Sequence, residues 1–347
     1  MQRVVACAGG ETTRLEERPM PSSAPGELLL RLRVVGFCGT DLFKLRSGSA
    51  EAGSVLGHEV VGTVIGTGAG VTDFREGDRV VVPHHVPCGA CVFCLRDNET
   101  MCPAFKENLM EPGGFADAIL IRERAVREAA IKIPAAMSDE KAVFVEPAAC
   151  VLRGIRRSGL GSMGAAIVLG AGSMGLLHLL VLKAIFPLVP VLMVDPEAGR
   201  RDVAARLGAA AVAMPGQDAT EAMGALTQGI GADAVFDTVG GGGTLAAGIA
   251  LTRPGGSIVL FAHAPQAAPA TLDLNALFKS ERRIIATYSG SPTEQRAIFD
   301  LLSEGALDPS SLVTHKMPLD DFDAGVALVV KQQALKVLFT PSRGPAA

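Results

Sequence analysis

The 347-residue sequence contains no tryptophan and one tyrosine, and aromatic residues make up only 4% of it. Core packing must therefore rest on Ala, Val, Leu and Ile, within an apolar share of 48% that is ample for substantial cores. A basic cluster is also missing: 32 basic residues stand against 36 acidic ones, for a net charge of −4. Without that electrostatic footprint, no nucleic-acid partner is expected. No apolar run is both long and unbroken. The longest, residues 176–194, is interrupted by Lys183, Pro187 and Pro190, and reads as a buried helix, a loop and a buried strand rather than a membrane span. Residues 1–10 are too short for the core of an export signal. A cytoplasmic protein with no membrane partner is the expectation.

The length suggests two domains at about 150 residues each. The 40 glycines and 21 prolines imply many turns, and four of the seven cysteines crowd into residues 88–102. In a large chain without an export signal, such crowding favours metal ligation over disulfides. Cys88, Cys91, Cys94 and Cys102 can converge from one tight loop on a tetrahedral ion. A closed four-thiolate set leaves no open position for substrate, so the expected role is a structural zinc. An iron–sulfur cluster is the rival, but the gap before Cys102 is seven residues where the bacterial ferredoxin run has three.

A second set of ligand types is scattered. Gly57-His58-Glu59 places an imidazole and a carboxylate side by side, Cys38 lies between Gly36 and Gly39, and Glu146-Pro147 follows much later. Neutral imidazole, thiolate and carboxylate together are the donor set of a catalytic zinc. Around these residues, short β-rich runs at 3–6, 27–35, 60–66, 79–83 and 117–121 predict small antiparallel strands. Ser138 is expected to cap one helix that carries Glu146.

From Ala166 the texture changes. The apolar run 166–169 leads into Gly170-Ala171-Gly172-Ser173-Met174-Gly175, then a helix, then a strand 191–194 ending in Asp195. Strand, glycine loop, helix, strand and acid in this order form the dinucleotide-binding fingerprint. Gly170 makes the turn, Gly172 admits the pyrophosphate and Gly175 lets helix and strand pack closely, while Ser173 and Met174 open the helix whose amides face the phosphates. Asp195 accepts from a ribose hydroxyl and repels a 2′-phosphate, which favours NAD over NADP; Arg200 is a candidate phosphate contact. Further strand and helix patterns follow to residue 287. Residues 316–319 and 336–339 return to the β texture of the first third, so the first domain is expected to be discontinuous, and 341–347 reads as a frayed tail.

Together these motifs resemble the zinc-dependent medium-chain dehydrogenases, in the polyol and threonine dehydrogenase branch. The resemblance spans the whole chain and rests on Gly36-Phe37-Cys38-Gly39-Thr40-Asp41, Gly57-His58-Glu59 with Gly62, Gly77-Asp78-Arg79-Val80, the cysteine loop, Gly113-Gly114-Phe115-Ala116 and the glycine fingerprint. It implies an α/β protein with a GroES-like β domain (1–146 and 288–347) and a Rossmann domain with a doubly wound parallel sheet (147–287), substrate lying in the cleft between them. It also implies two zinc ions per chain, the catalytic one held by Cys38, His58 and Glu59 or Glu146, directly or through water. Thr40 would take the alcohol proton, with His85 as a candidate exit. Phe43 stands where many relatives place a histidine, a departure from the family's usual relay. The implied activity is NAD-dependent interconversion of a secondary alcohol (a polyol, sugar alcohol or hydroxy amino acid) and its ketone, by a homodimer or homotetramer. Its alternatives are an L-threonine 3-dehydrogenase-like enzyme and a non-catalytic NAD-binding protein of the same fold.

Overall fold

The N-terminal residues give a hairpin, β1 (Gln2–Gly9) and β2 (Thr12–Arg18), whose first strand carries the apolar run Val4-Val5-Ala6-Cys7, buried throughout. The computed structural model describes residues 1–264 and 269–342. Beyond the hairpin, Leu28, Leu30 and Leu32 alternate inward along β3 (Leu28–Gly36). A short helix, α1 (Gly39–Arg46), follows, and then β4 (Glu59–Thr67), β5 (Arg79–Pro83), β6 (Met110–Glu111) and β7 (Ala118–Ile121). Helix α2 (Glu123–Glu128) and strand β8 (Ile131–Lys132) close this section.

Ser138 does cap a helix, accepting the Lys141 amide at 3.2 Å, but that helix is the single turn α3 (Asp139–Ala142). Glu146 belongs to a separate helix, α4 (Val145–Ser158), with Pro147 in its first turn, where a missing amide proton costs no intrahelical bond. The single helix expected from the sequence is thus two.

Next come β9 (Ala166–Leu169), α5 (Ser173–Ile185), β10 (Val191–Val194), α6 (Ala198–Arg206), β11 (Ala211–Ala213), α7 (Gln217–Thr227) and β12 (Ala232–Asp237). The series continues with α8 (Gly242–Leu251), β13 (Thr252–Leu260), α9 (Leu274–Ser280) and β14 (Arg283–Ala286). These strands form one parallel sheet in the order β11-β10-β9-β12-β13-β14. The order reverses between β9 and β12, and that is where a doubly wound sheet opens its ligand crevice. Ile167, Val168, Val235 and Phe236 are fully buried, as strands covered on both faces require. No helix among the described residues is long and apolar enough to cross a membrane.

The remaining elements are α10 (Pro292–Ser303), β15 (Val313–Pro318), α11 (Phe322–Val330) and β16 (Lys336–Thr340). The chain divides into two compact units, Pro147–Gly290 and a discontinuous one made of Met1–Glu146 and the segment from Ser291 onward. Most of the expected tail, residues 343–347, lies outside the described residues. In the discontinuous unit, β15 and β16 extend the sheet to give β15-β16-β3-β4-β5-β8, with β7 pairing on β3. The ring cluster Phe37, Phe115, Phe322 and Phe339, with centroids 4.7 to 6.4 Å apart, ties the two segments together in the core. Helices α1, α2, α9 and α11 are not marked in the sequence by any strong apolar period.

Candidate active site

The antiparallel register of β3 and β4 sets Gly36 opposite Glu59, so Cys38 leaves one strand where His58 and Glu59 enter the other. A Cβ on Gly36 would collide with the Glu59 carboxylate, so the glycine leaves room for that side chain in its observed place. Gly57 takes a φ of +88°, a left-handed bend just before His58, and a Cβ on it would stand 2.9 Å from the Phe115 amide. The ligand atoms of Cys38, His58 and Glu59 all lie within 4.8 Å of one another, with His58 and Glu59 buried.

Helix α1 orients two of these groups. Cys38 is its N-cap, and the thiol accepts the Thr40 amide at 3.5 Å. Asp41, in the first turn and fully buried, accepts the Cys38 amide at 3.1 Å and the Gly57 amide at 3.2 Å. It also stands 3.3 Å from His58 Nδ1. A carboxylate only accepts, so Nδ1 carries the proton and Nε2 is left for a cation. Burial opposes charge on both groups, but their pairing outweighs it: the Asp41 carboxyl is held below its usual range and the His58 ring well above. The field that favours a protonated ring favours equally a metal ion on Nε2.

Lys336 completes the site from the last strand. Its ammonium is 3% exposed, donates to the Phe37 carbonyl at 3.2 Å and is ion-paired to Glu59 Oε2. Burial pulls this ammonium down, yet the charges of Glu59 and Cys38 raise it overall, with Glu146 contributing. Glu59 Oε1 is buried with no hydrogen-bond partner, an orphaned acceptor that a cation would satisfy. Glu146 is buried in the first turn of α4 and its charge reaches Lys336, but it is not among the three converging ligand groups. Thiolate, imidazole and an orphaned carboxylate oxygen suit a zinc ion with an open position.

Beside His58 the imidazoles of His84 and His85 follow in a row, with ring centroids 4.6 and then 3.5 Å apart and Phe105 4.9 Å beyond. Burial, with the positive neighbours His58, Lys44 and Lys106, pushes His85 down to about 3, so its ring is neutral. His58, His84 and His85 line a cavity of about 370 Å³. Thr40 is half-buried two residues after Cys38, in the first turn of α1, and Phe43 is 38% exposed.

The four clustered cysteines converge as the spacing predicts. Their sulfurs lie within 4.8 Å of one another, Cys91 and Cys94 at 3.5 Å and Cys88 and Cys94 at 3.9 Å. These separations are far beyond the roughly 2.05 Å of a disulfide. Backbone amides of Ala90 and Cys91 lower the Cys88 thiol, whereas desolvation and the adjacent sulfurs push Cys94 up. Such a group cannot hold four thiolates without a cation, which fits a zinc with no open position.

In the other unit, Gly170 has a φ of +95° and stands so close to Thr238 Oγ1 that a Cβ would lie 2.7 Å away. A Cβ on Gly175 would collide with the Gly170 carbonyl, whereas one on Gly172 would meet only Arg200, at 4.0 Å. The middle glycine therefore faces open space at the N-cap of α5, a cradle that a phosphate can enter beside Ser173 and Met174. Asp195, at the end of β10, accepts the Ala171 amide at 2.7 Å and the Glu197 amide at 2.9 Å, fixing the loop to the strand end. Arg200 stands 3.8 Å from that carboxylate, which offsets its charge. The glycine-rich turn after β12 reaches the same crevice through Thr238 and Val239. A dinucleotide fits this crevice.

Sequence reasoning missed Asp41, Lys336 and His84 as parts of the site. Asp41 had a signal, an acid three residues into a helix capped by a ligand-type residue. Lys336 had a weaker one, a lone charge heading an apolar strand.

Two family models match the chain: the alcohol dehydrogenase GroES-like domain over residues 24–134 and the zinc-binding dehydrogenase over residues 173–304. The erythritol/L-threitol dehydrogenase of Mycolicibacterium smegmatis is 30% identical, covering 99% of this chain and 98% of its own. The sorbitol dehydrogenase of Bacillus subtilis is 28% identical, covering 95% and 94%. Among solved structures, alcohol dehydrogenase TADH from Thermus sp. ATN1 superposes with a TM-score of 0.86 at 28% identity, covering 98% of this chain and 99% of that one.

Proposed function

The chain belongs to the GroES-like, zinc-binding alcohol dehydrogenases, and on that premise we propose that it oxidises a secondary alcohol of the polyol class to its ketone with NAD, reversibly. The observation that carries this reading is the convergence of Cys38, His58 and Glu59 around an orphaned carboxylate oxygen at the wall of a cavity.

Cys38 and His58 would hold the catalytic zinc, with Glu59 or Glu146 as the acidic partner. Zinc there supplies a Lewis acid that lowers the pKa of an alcohol hydroxyl, as it does for water. NAD supplies the acceptor for the carbinol hydride. The protein's own groups do the rest. Asp41 fixes the ring of His58, and Lys336 restrains Glu59. The Thr40 hydroxyl takes the alcohol proton; His85, lowered to about 3 in the cavity wall, can pass a proton on between its two ring nitrogens but does not hold one. The α5 N-terminus and the open face of Gly172 hold the pyrophosphate, Arg200 lies at its margin, and the remaining lone pairs of Asp195 accept from a ribose hydroxyl. Cys88, Cys91, Cys94 and Cys102 hold a structural zinc. The seven unbridged cysteines suit a reducing compartment, the cytoplasm, and the family resemblance supports a homodimer or homotetramer.

The test is NADH formation with sorbitol, erythritol, threitol, L-threonine and simple secondary alcohols, run in parallel with NADP. Turnover with NAD that a chelator removes and zinc restores supports the reading. Cys38→Ala should abolish turnover while NADH still binds; silence with every alcohol and both cofactors would leave a dinucleotide-binding protein without this chemistry.

A further inference from the structure

We infer that Lys336 competes with the metal at Cys38 and His58 for the carboxylate of Glu59, so that it loosens zinc there and sharpens it as a Lewis acid. The second effect rests on the dehydrogenase reading and deepens it. The first needs only a metal in that site.

Lys336 heads β16, and its ammonium has two polar partners, Glu59 Oε2 in an ion pair and the Phe37 carbonyl at 3.2 Å. The buried ring of Phe144 lies 5.9 Å away. With its side chain 3% exposed, the ammonium has almost no water to turn to and stays on the carboxylate. Burial works against its charge, yet Glu59, Cys38 and Glu146 keep it protonated. Glu59 does not need this partner to hold its place. The register of β3 and β4 sets it opposite Gly36, and the missing Cβ there makes room for its side chain. Its Oε1 remains buried and orphaned.

A metal on Oε1 would therefore share one carboxylate with the ammonium on Oε2. Each cation withdraws charge that the other would use, and like charges repel strongly where water is excluded. The charge behind His58 acts the other way. Asp41 is negative, and it favours a cation on Nε2. Without Lys336, the negative charges of Cys38, Asp41, Glu59 and Glu146 would face a doubly charged ion with nothing to offset the surplus. Such surroundings hold a metal firmly and blunt its pull on an alcohol oxygen. Lys336 cancels part of the surplus and so acts through Glu59, as a positioning residue.

The experiment compares the full chain with Lys336→Met, Lys336→Gln and Lys336→Arg. Zinc per chain is counted after equilibration with graded chelator, and the four-cysteine ion serves as an internal reference. Lys336→Met and Lys336→Gln should hold the second zinc about tenfold more tightly, the scale of groups that stand behind metal ligands. Lys336→Arg keeps the charge and should stay near the wild type. In a Glu59→Gln background, Lys336→Met should shift zinc affinity several-fold less. With NAD and an alcohol that is turned over, kcat should fall while zinc is held more tightly. Weaker or unchanged zinc binding in the Met and Gln variants would overturn the inference, as would an undiminished shift in the Glu59→Gln background. Failure of both variants to fold with zinc supplied would overturn it too, because a competing metal replaces the ammonium on Glu59. Folding only when zinc is supplied supports it. A wild-type chain that holds only the four-cysteine ion rejects this inference and the dehydrogenase reading together. Tighter zinc in the variants with no alcohol oxidised by any form keeps the competition and rejects only the dehydrogenase.

Discussion

Lys336 opens the last strand of the chain, yet its ammonium is buried against the carboxylate of Glu59 and donates to the carbonyl of Phe37, 299 positions earlier. One charge thus joins the C-terminal segment to two strand ends at the centre of the candidate metal site. Lys336→Met should leave Glu59 buried without its partner and cost about 3 kcal/mol or more of stability. Urea unfolding would measure this. Retention of wild-type stability would mean that a metal ion alone neutralises Glu59.

Asp41 acts on the site through His58. Asp41→Asn keeps the shape but replaces an acceptor by a mixed amide and removes the charge that favours a cation on Nε2. Zinc affinity or turnover should fall about 10- to 100-fold, the usual effect of losing a carboxylate behind a metal-bound histidine. Zinc content after dialysis against graded chelator separates this from simple unfolding, because the four-cysteine site should keep its metal.

Cys91 sits 3.5 Å from Cys94 in a lobe built of short turns (Cys94–Arg96, Glu99–Met101 and Pro103–Lys106), where ligation must replace a core. Cys91→Ser should lower the zinc content from two ions per chain to one and make residues 88–106 the earliest site of proteolysis. An unchanged metal content would refute the structural-zinc assignment.

His178 lies inside α5 with no exposure, its Nδ1–H donated to the Met174 carbonyl at 2.7 Å and its Nε2 without a partner. Burial pushes the ring down to about 4, whereas an unfolded histidine titrates near 6.5. Between those values the unfolded chain holds the extra proton, so stability present above about pH 6.5 is lost as pH falls toward 4, by up to about 3 kcal/mol. His178→Phe should flatten that slope by about one proton in equilibrium unfolding followed at several pH values. An unaltered slope would mean that His178 does not titrate there.

Much of the fold was legible in the sequence, and the reason is local. In the Pro147–Gly290 unit, strands buried on both faces leave continuous apolar runs, so Ala166–Leu169 and Val191–Val194 fall where the sequence predicts them. The cysteine loop was equally plain, since ligand spacing in a short loop is itself the geometry. The helices were harder. The periodicity around Ser138 and Glu146 did not reveal the break between α3 and α4, and α1 is too short to carry a period.

The sequence by itself determined which chemistries are present: thiols, imidazoles and carboxylates in ligand-like settings, and a glycine loop followed by an acid. It could not show which of them meet. That Asp41 serves His58, that Lys336 neutralises Glu59, and that Lys44, Lys106 and Arg18 share one cavity wall with His85 depend on strand register and on the return of the C-terminal segment to β3. Those pairings join residues far apart along the chain, and only the shared core of the discontinuous unit holds them within reach of one another.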